Sequence, residues 1–250
     1  MGSAGARRIP TSGVAQSGDT APDGMPSDFR RIVSFTPRGG RLNQVQRKAF
    51  DAHADNWMLG VDDLGRTFDA AAVFGRDAPL VIEIGSGMGE STVAMAAARP
   101  EIDVLAVEVY KPGVAQTFHH IAKAAVDNVR LLRADAFAVL RDLIAPSSVE
   151  EIWLFFPDPW PKTRHRKRRL VTQQFVALAD TRLRSGGRFR LATDWQPYAE
   201  QMLATCTASE HLRNVHSGWA PRPEFRPRTR FERRGLAEGR QIFDLEFVRR

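Results

Sequence analysis

The chain has 250 residues, enough for one large domain or two small ones and for a sizeable buried core. Hydrophobic residues make up 43% and charged residues 26%, which is a globular composition, and 36 Lys plus Arg against 29 Asp plus Glu leave a formal charge of +7 that favours a polyanionic partner. The one cysteine, Cys206, excludes an intramolecular disulfide framework and a Cys-cluster zinc site, and no apolar run approaches the ~20 residues of a membrane span.

Twelve of the first 30 residues are Gly, Pro or Ser, and apolar periodicity is absent there, so a disordered tail is expected over 1–30. Arg7-Arg8 is followed by no hydrophobic stretch, so this is no secretory signal, and a cytoplasmic protein is expected. Residues 31–78 hold one helix pattern, Leu42 to Ala54, and read as an extension packing on the core. From residue 79 to 250 the pattern is that of the main domain. Leu80 to Ile84 is a short apolar run ended by glycines, which predicts a buried strand. Glu90–Arg99, Pro112–Val126, Asp135–Ile144, Leu170–Leu183 and Gln196–Ser209 read as helices, the fourth closed by Gly186-Gly187. Between them, Asp103–Val109, Asn128–Arg133, Glu151–Phe156 and Arg188–Thr193 read as strands. Strands and helices alternating at this spacing predict parallel βαβ units. Gln241 to Val248 alternates, with Phe243, Leu245 and Phe247 on one face. The pattern shows no helix before it, so it is expected to run antiparallel at the end of the sheet.

The first strand leads into Glu83-Ile84-Gly85-Ser86-Gly87-Met88-Gly89-Glu90. Glycines at a strand-to-helix turn let a ligand approach the backbone closely. A dinucleotide fingerprint would need glycine at 90, where Glu stands. Two carboxylates beside a pyrophosphate are electrostatically wrong; beside a cation they are right. S-adenosylmethionine, a nucleoside carrying a sulfonium and an ammonium, therefore suits Gly85, Gly87 and Gly89 better than NAD. Glu108, at the end of the second strand, is placed to accept from ribose hydroxyls, and Asp135, at the end of the third, to hold an adenine amino group or to cap the helix beside it.

The fourth strand runs into Pro157-Asp158-Pro159-Trp160-Pro161-Lys162, a stiff loop with three prolines in five positions. It puts one carboxylate and one ring at the sheet edge, as a planar base would need. In the next stretch, Lys162 to Arg169, six of eight residues are positive at neutral pH. A charge run is usually a solvated face, but beside a reaction loop it points to phosphate binding. About five phosphate contacts would make log K fall with log salt by roughly 3 to 4 on unpaired RNA and nearer 4 to 5 on duplex-like RNA. The six histidines are scattered, and His119-His120 has the wrong spacing for two ligands on one helix face, so no metal is expected.

Over roughly 79–250 the sequence resembles the bacterial tRNA (guanine-N7)-methyltransferase family. The resemblance rests on Phe155-Phe156-Pro157-Asp158-Pro159-Trp160 with Lys162 and Arg164 to Arg169, on Glu83-Ile84-Gly85 with Gly87 and Gly89, on Ala192-Thr193-Asp194-Trp195 with Tyr198-Ala199-Glu200, and on Thr229 to Gly235. It implies a Rossmann-like class I S-adenosylmethionine-dependent methyltransferase fold, with a mostly parallel seven-stranded sheet and an antiparallel C-terminal strand. The implied reaction is methylation of a variable-loop guanine of tRNA at N7. Carried over by position, the resemblance implies that Glu83, Glu108, Asp135 and Asp158 contact the methyl donor and that Asp158 is catalytic. It implies that Lys162, Asp194, Thr229, Arg230, Phe231 and Glu232 contact the substrate, and that Arg164, His165, Arg166, Lys167, Arg168 and Arg169 contact RNA. The residues alone place Thr229–Glu232 in an Arg-rich loop, since 222–250 hold nine Arg against five acids. Three rival readings remain at this point: an amino-methyltransferase acting on a base of rRNA or DNA, a non-catalytic RNA-binding relative, and an NAD oxidoreductase.

Overall fold

The computed structural model describes residues 40–60 and 67–250; the side chains of Arg230 and Phe231 also fall outside the description. The tail expected over 1–30 lies outside the described residues. The extension expected over 31–78 begins, as described, with helix α1 (Gln44–Trp57). Asn43 opens it with a capping box, its Oδ1 accepting from Gln46 N–H at 2.9 Å while its own N–H donates to Gln46 Oε1 at 3.1 Å. Strand β1 (Met58–Leu59) and helix α2 (Ala70–Phe74) follow.

The main domain alternates: β2 (Leu80–Ile84), α3 (Glu90–Ala98), β3 (Asp103–Val107), α4 (Lys111–Ala124), β4 (Val129–Leu132), α5 (Ala136–Ala138) and β5 (Val149–Phe155). A π-helical turn, Val139–Leu143, continues α5 and completes the helical stretch expected there. A 3₁₀ helix, Thr163–Arg168, precedes α6 (Gln173–Arg182), β6 (Leu183–Thr193), α7 (Gln196–Thr207), β7 (Leu212–Asn214), α8 (Arg230–Ala237) and β8 (Phe243–Arg249).

The sheet has eight strands in the order β1-β4-β3-β2-β5-β6-β8-β7. That is one more than expected, because the two-residue β1 pairs with Leu131 and Leu132 of β4 at the edge. From β1 to β6 the pairings are parallel; β8 is antiparallel to β6 and to β7. The C-terminal strand is thus antiparallel as expected, but it does not end the sheet, because β7 pairs along its outer side, and the premise was wrong: α8 lies just before it. A second correction concerns Gly186-Gly187. They do not close α6, which ends at Arg182; they form a bulge inside β6, where the pairing jumps from Val149–Leu183 to Glu151–Arg188. Gly186 takes φ +76, which a side chain would resist.

Alternation in β2 sends Leu80, Ile82 and Ile84 to one core, with Phe175, Tyr198 and Met202, and Val81 to the other, with Val93, Val114 and Phe118. Both faces are covered by helices, as a parallel sheet requires. The order of strands reverses between β2 and β5, so their carboxyl ends open a crevice, the usual ligand position of such sheets. Helix α1 packs on α4 at the same side of the sheet as that second core, with Phe50 and Trp57 centroids 5.9 and 6.1 Å from Phe118.

Candidate active site at the carboxyl edge of the sheet

Every residue at this edge is put there by a strand end. Gly85 follows β2 and its N–H donates to Val107 O at 2.8 Å, which holds the glycine loop against β3. Gly85, Gly87 and Gly89 have φ of 76, 59 and 74°, so a side chain at any of them would be strained. A Cβ on Gly85 or Gly87 would meet nothing within 4 Å, whereas one on Gly89 would lie 2.1 Å from Thr117 Oγ1. The loop is therefore gripped from below by α4 and open at its first two glycines. Gly113 completes the grip: a Cβ there would lie 2.2 Å from the Gly87 carbonyl oxygen. The sequence carried a signal for this, a glycine inside a helix, where close backbone approach is its usual reason.

Glu83 is buried, and its Oε2 has no hydrogen-bond partner among the described residues. Burial pushes its carboxyl up to about 7; the Thr92 hydroxyl opposes this and the Glu108 charge adds to it. Glu108 follows β3. Its Oε2 accepts from Gly87 N–H at 2.8 Å, and its Oε1 accepts from Val109 and Tyr110 N–H, each at 2.8 Å. Burial raises its pKa and these three bonds lower it, with the Asp158 charge raising it again. Three N–H donors occupy three of the ~4 acceptor directions of a carboxylate, so one remains. Asp135 follows β4 and caps α5, its Oδ1 accepting from Phe137 N–H at 2.8 Å.

Asp158 is exposed in the loop after β5. Two residues of that stretch are held in the left-handed region, Phe156 at φ 53° and Trp160 at φ 42°, each at a strain of about 1–3 kcal/mol. The strain is held by neighbours. Phe156 N–H donates to Ala192 O at 2.7 Å. Trp160 carries the Arg168 guanidinium 4.2 Å from its centroid and the His165 ring edge-on at 5.9 Å.

The basic run forms the 3₁₀ helix. Lys162, Arg164, Arg166 and Lys167 are exposed, and His165 and Arg168 are half-buried against Trp160. Burial and the charges of Arg164, Arg168 and Lys162 hold His165 below the ordinary imidazole value. Arg169 does not share this face, which corrects its placement with the solvent-facing run. It is 3% exposed, donates to Pro159 O at 2.9 Å and Gln201 Oε1 at 2.7 Å, and lies 4.8 Å from the Tyr198 ring. It braces the proline loop from behind.

Asp194 follows β6 and pairs with Arg240, whose Nε is 2.9 Å from Oδ2. Helix α8 passes so close that a Cβ on Gly235 would lie 3.0 Å from the same oxygen. The segment Thr229–Glu232 is the N-terminus of α8 and not a loop. Thr229 caps it, accepting from Glu232 N–H at 2.9 Å, and Arg230 and Phe231 stand in its first turn. Glu232 is buried at 2% exposure, with its Oε2 accepting from Arg226 at 2.9 Å. Arg226, which the sequence did not mark among its many neighbours of the same type, is fully buried. Its other nitrogen donates to both Asp244 oxygens at 2.9 Å, and its guanidinium lies 5.2 and 5.4 Å from the Phe155 and Phe156 rings. One side chain thus ties α8, β8 and the end of β5 together.

The carboxyl edge therefore carries, strand by strand, Asp135, Glu108, the glycine loop, Asp158 and Asp194. Among the described residues no group of three or more His, Cys, Asp or Glu could hold a metal ion.

Comparison with known proteins supplies context for this edge. A family model described as "Putative methyltransferase" matches residues 77–245. A Bordetella pertussis (strain Tohama I) protein named tRNA (guanine-N(7)-)-methyltransferase is 46% identical over 239 residues, covering 96% of this chain and 92% of its own. A Nocardioides sp. (strain JS614) protein of the same name is 48% identical over 226 residues, 89% of either chain. Among solved structures, the 16S rRNA methyltransferase KamB superposes with a TM-score of 0.55 over 77% of this chain and 95% of its own, at 16% identity, and shares the fold.

Proposed function

This chain belongs to the tRNA (guanine-N7-)-methyltransferase family, and we propose that it moves a methyl group from S-adenosylmethionine to N7 of a guanine in the variable loop of tRNA. The observation that carries this reading is the gathering of Glu83, Glu108 and Asp158 around an open glycine turn at the switch point of the sheet. Those residues fit a cationic nucleoside. Glu83 keeps a buried oxygen without a partner, Gly85 and Gly87 leave their side of the loop open, and Glu108 keeps one acceptor direction. When bound, the donor supplies a methyl group activated by a positively charged sulfur.

The rest is the work of this chain's own residues. Guanine N7 carries a free lone pair at neutral pH, so no base has to remove a proton before attack. The task is orientation, and a stiff loop performs it with little loss of entropy at the moment of binding. We assign Asp158 to holding the guanine edge by accepting from its N1–H and amino group. The fixed carboxylates of Glu108 and Asp158 also favour positive charge as it moves onto the purine. Lys162, Arg164, Arg166, Lys167 and Arg168 supply charge for the RNA backbone, and Arg169 holds the loop that carries Asp158. Asp194 and the first turn of α8 are assigned to the substrate side. Among the described residues no helix is long and apolar enough to cross a membrane. A tRNA substrate is what supports reading this as a cytoplasmic enzyme.

Labelled methyl donor incubated with unmodified tRNA tests this reading. Wild-type protein should transfer label, and Asp158→Ala should lose single-turnover rate by about a hundredfold or more while donor affinity stays within about threefold. Loss of donor binding with an intact rate on the bound complex would contradict the role given to Asp158.

A further inference from the structure

Trp219 lies outside every site the sequence marked. Trp153 is buried and Trp57, Trp160 and Trp195 are half-buried, but Trp219 is 37% exposed. A single exposed apolar side chain is ordinary; its position is not. The chain after β7 continues antiparallel along β8, with Val215 N–H donating to Glu246 O at 3.0 Å and Ala220 N–H to Asp244 O at 2.7 Å. This run delivers Trp219 to the carboxyl edge, where its indole meets Phe243 edge-on at 4.9 Å. Phe243 stands opposite Thr193, the residue before Asp194. Phe243 is two strands from the end of β5, which at ~4.8 Å per strand is roughly 10 Å from the start of the Asp158 loop. The ring therefore shares the edge with the Asp158 loop but stands apart from it, on the side of β8.

Two further observations point to a ligand of this kind. The turn before Trp219 is fixed: the Asn214 side chain donates to Gly218 O at 3.0 Å and accepts from His216 N–H at 3.0 Å, so the indole is presented with little left to order on binding. The segment that follows exposes two arginines, Arg222 and Arg228, against one acid, Glu224, and Arg222 also donates to Arg226 O. An aromatic platform beside exposed arginines is how unpaired nucleic acid is held, the ring taking a base and the charges taking phosphates.

We infer that Trp219 is a stacking platform for a nucleobase of the substrate RNA adjoining the methylated guanine. This rests on the proposed function and adds a contact to it. A stack is neutral, whereas a phosphate contact releases counterions, so the two are separable by salt. Equilibrium binding of unmodified tRNA, measured across a salt series, is the test. Trp219→Ala and Trp219→Leu should each lose about tenfold or more in tRNA affinity, the range for one base–aromatic stack. Trp219→Phe and Trp219→Tyr should stay within about threefold of wild type. Donor affinity should be unchanged. The slope of log K against log salt should also be unchanged, while Arg166→Ala, as a control, should flatten it by about 0.7–0.9. Equal binding by Trp219→Leu and Trp219→Phe would overturn the inference, as would a flatter slope for Trp219→Ala. Failure of the wild type to transfer methyl to tRNA counts against the proposed function; failure to need an aromatic ring for binding counts against this inference.

Discussion

A carboxyl group enclosed in a sheet keeps its proton longer than one in water, and Glu83 is held in that state, at about 7. Between about 4.5 and 7 the folded chain therefore binds a proton that the unfolded chain has released. Stability must fall as pH rises through that window, because the unfolded state there binds fewer protons. A displacement of this size corresponds to about 3 kcal/mol in the unliganded protein. Denaturant unfolding of wild type and Glu83→Gln from pH 4.5 to 8 should show the difference between them changing by about that amount. A cationic donor favours the carboxylate, so donor affinity should rise with pH through 7 in wild type and stay flat in Glu83→Gln. A difference in stability that does not move with pH would contradict the burial argument. The sequence showed that Glu83 ends a buried strand. It could not show that one carboxyl oxygen, Oε2, is left without a partner, which depends on how α3 seats over it.

At the scale of elements, the loop after β5 and its 3₁₀ helix divide their charges between two tasks. Alternation and proline content foretold a stiff loop with a basic continuation. The sequence did not foretell that the last arginine of the run turns inward, because six like charges in eight positions read alike until Tyr198, Gln201 and Pro159 are folded against one of them. The division predicts different phenotypes from similar substitutions. Arg164→Ala and Lys167→Ala should each reduce the salt dependence of tRNA binding by about 0.7–0.9 in slope with stability unchanged. Arg169→Ala should leave the slope alone, and the loss of its hydrogen bonds should lower stability by about 1.5–3 kcal/mol. A flattened slope in Arg169→Ala would mean that this guanidinium reaches phosphate after all. Helix α8 was missed for a related reason. Its three arginines and single Thr cap look like a solvated loop, and its seat depends on Gly235 passing Asp194.

Across the whole molecule, the βαβ alternation was legible because each strand is a buried apolar run between turn residues. The parts that were not legible join segments distant in sequence. β1 is two residues long and exists only because β4 offers an edge. Arg226 bonds two acids, Glu232 and Asp244, that lie 6 and 18 residues further along the chain, and it carries no local pattern. Trp219 reaches the site only because β7 and β8 run side by side. Yet the chemistry was readable, since carboxylates at strand ends converge wherever parallel strands stop together. N7 methylation needs no proton removed before attack, whereas exocyclic methylation needs one removed. Identifying the methylated nucleoside after digestion of tRNA treated with the protein and labelled donor separates the two. The account predicts 7-methylguanosine as the labelled product, and label on an exocyclic nitrogen, or none in the RNA, would contradict it.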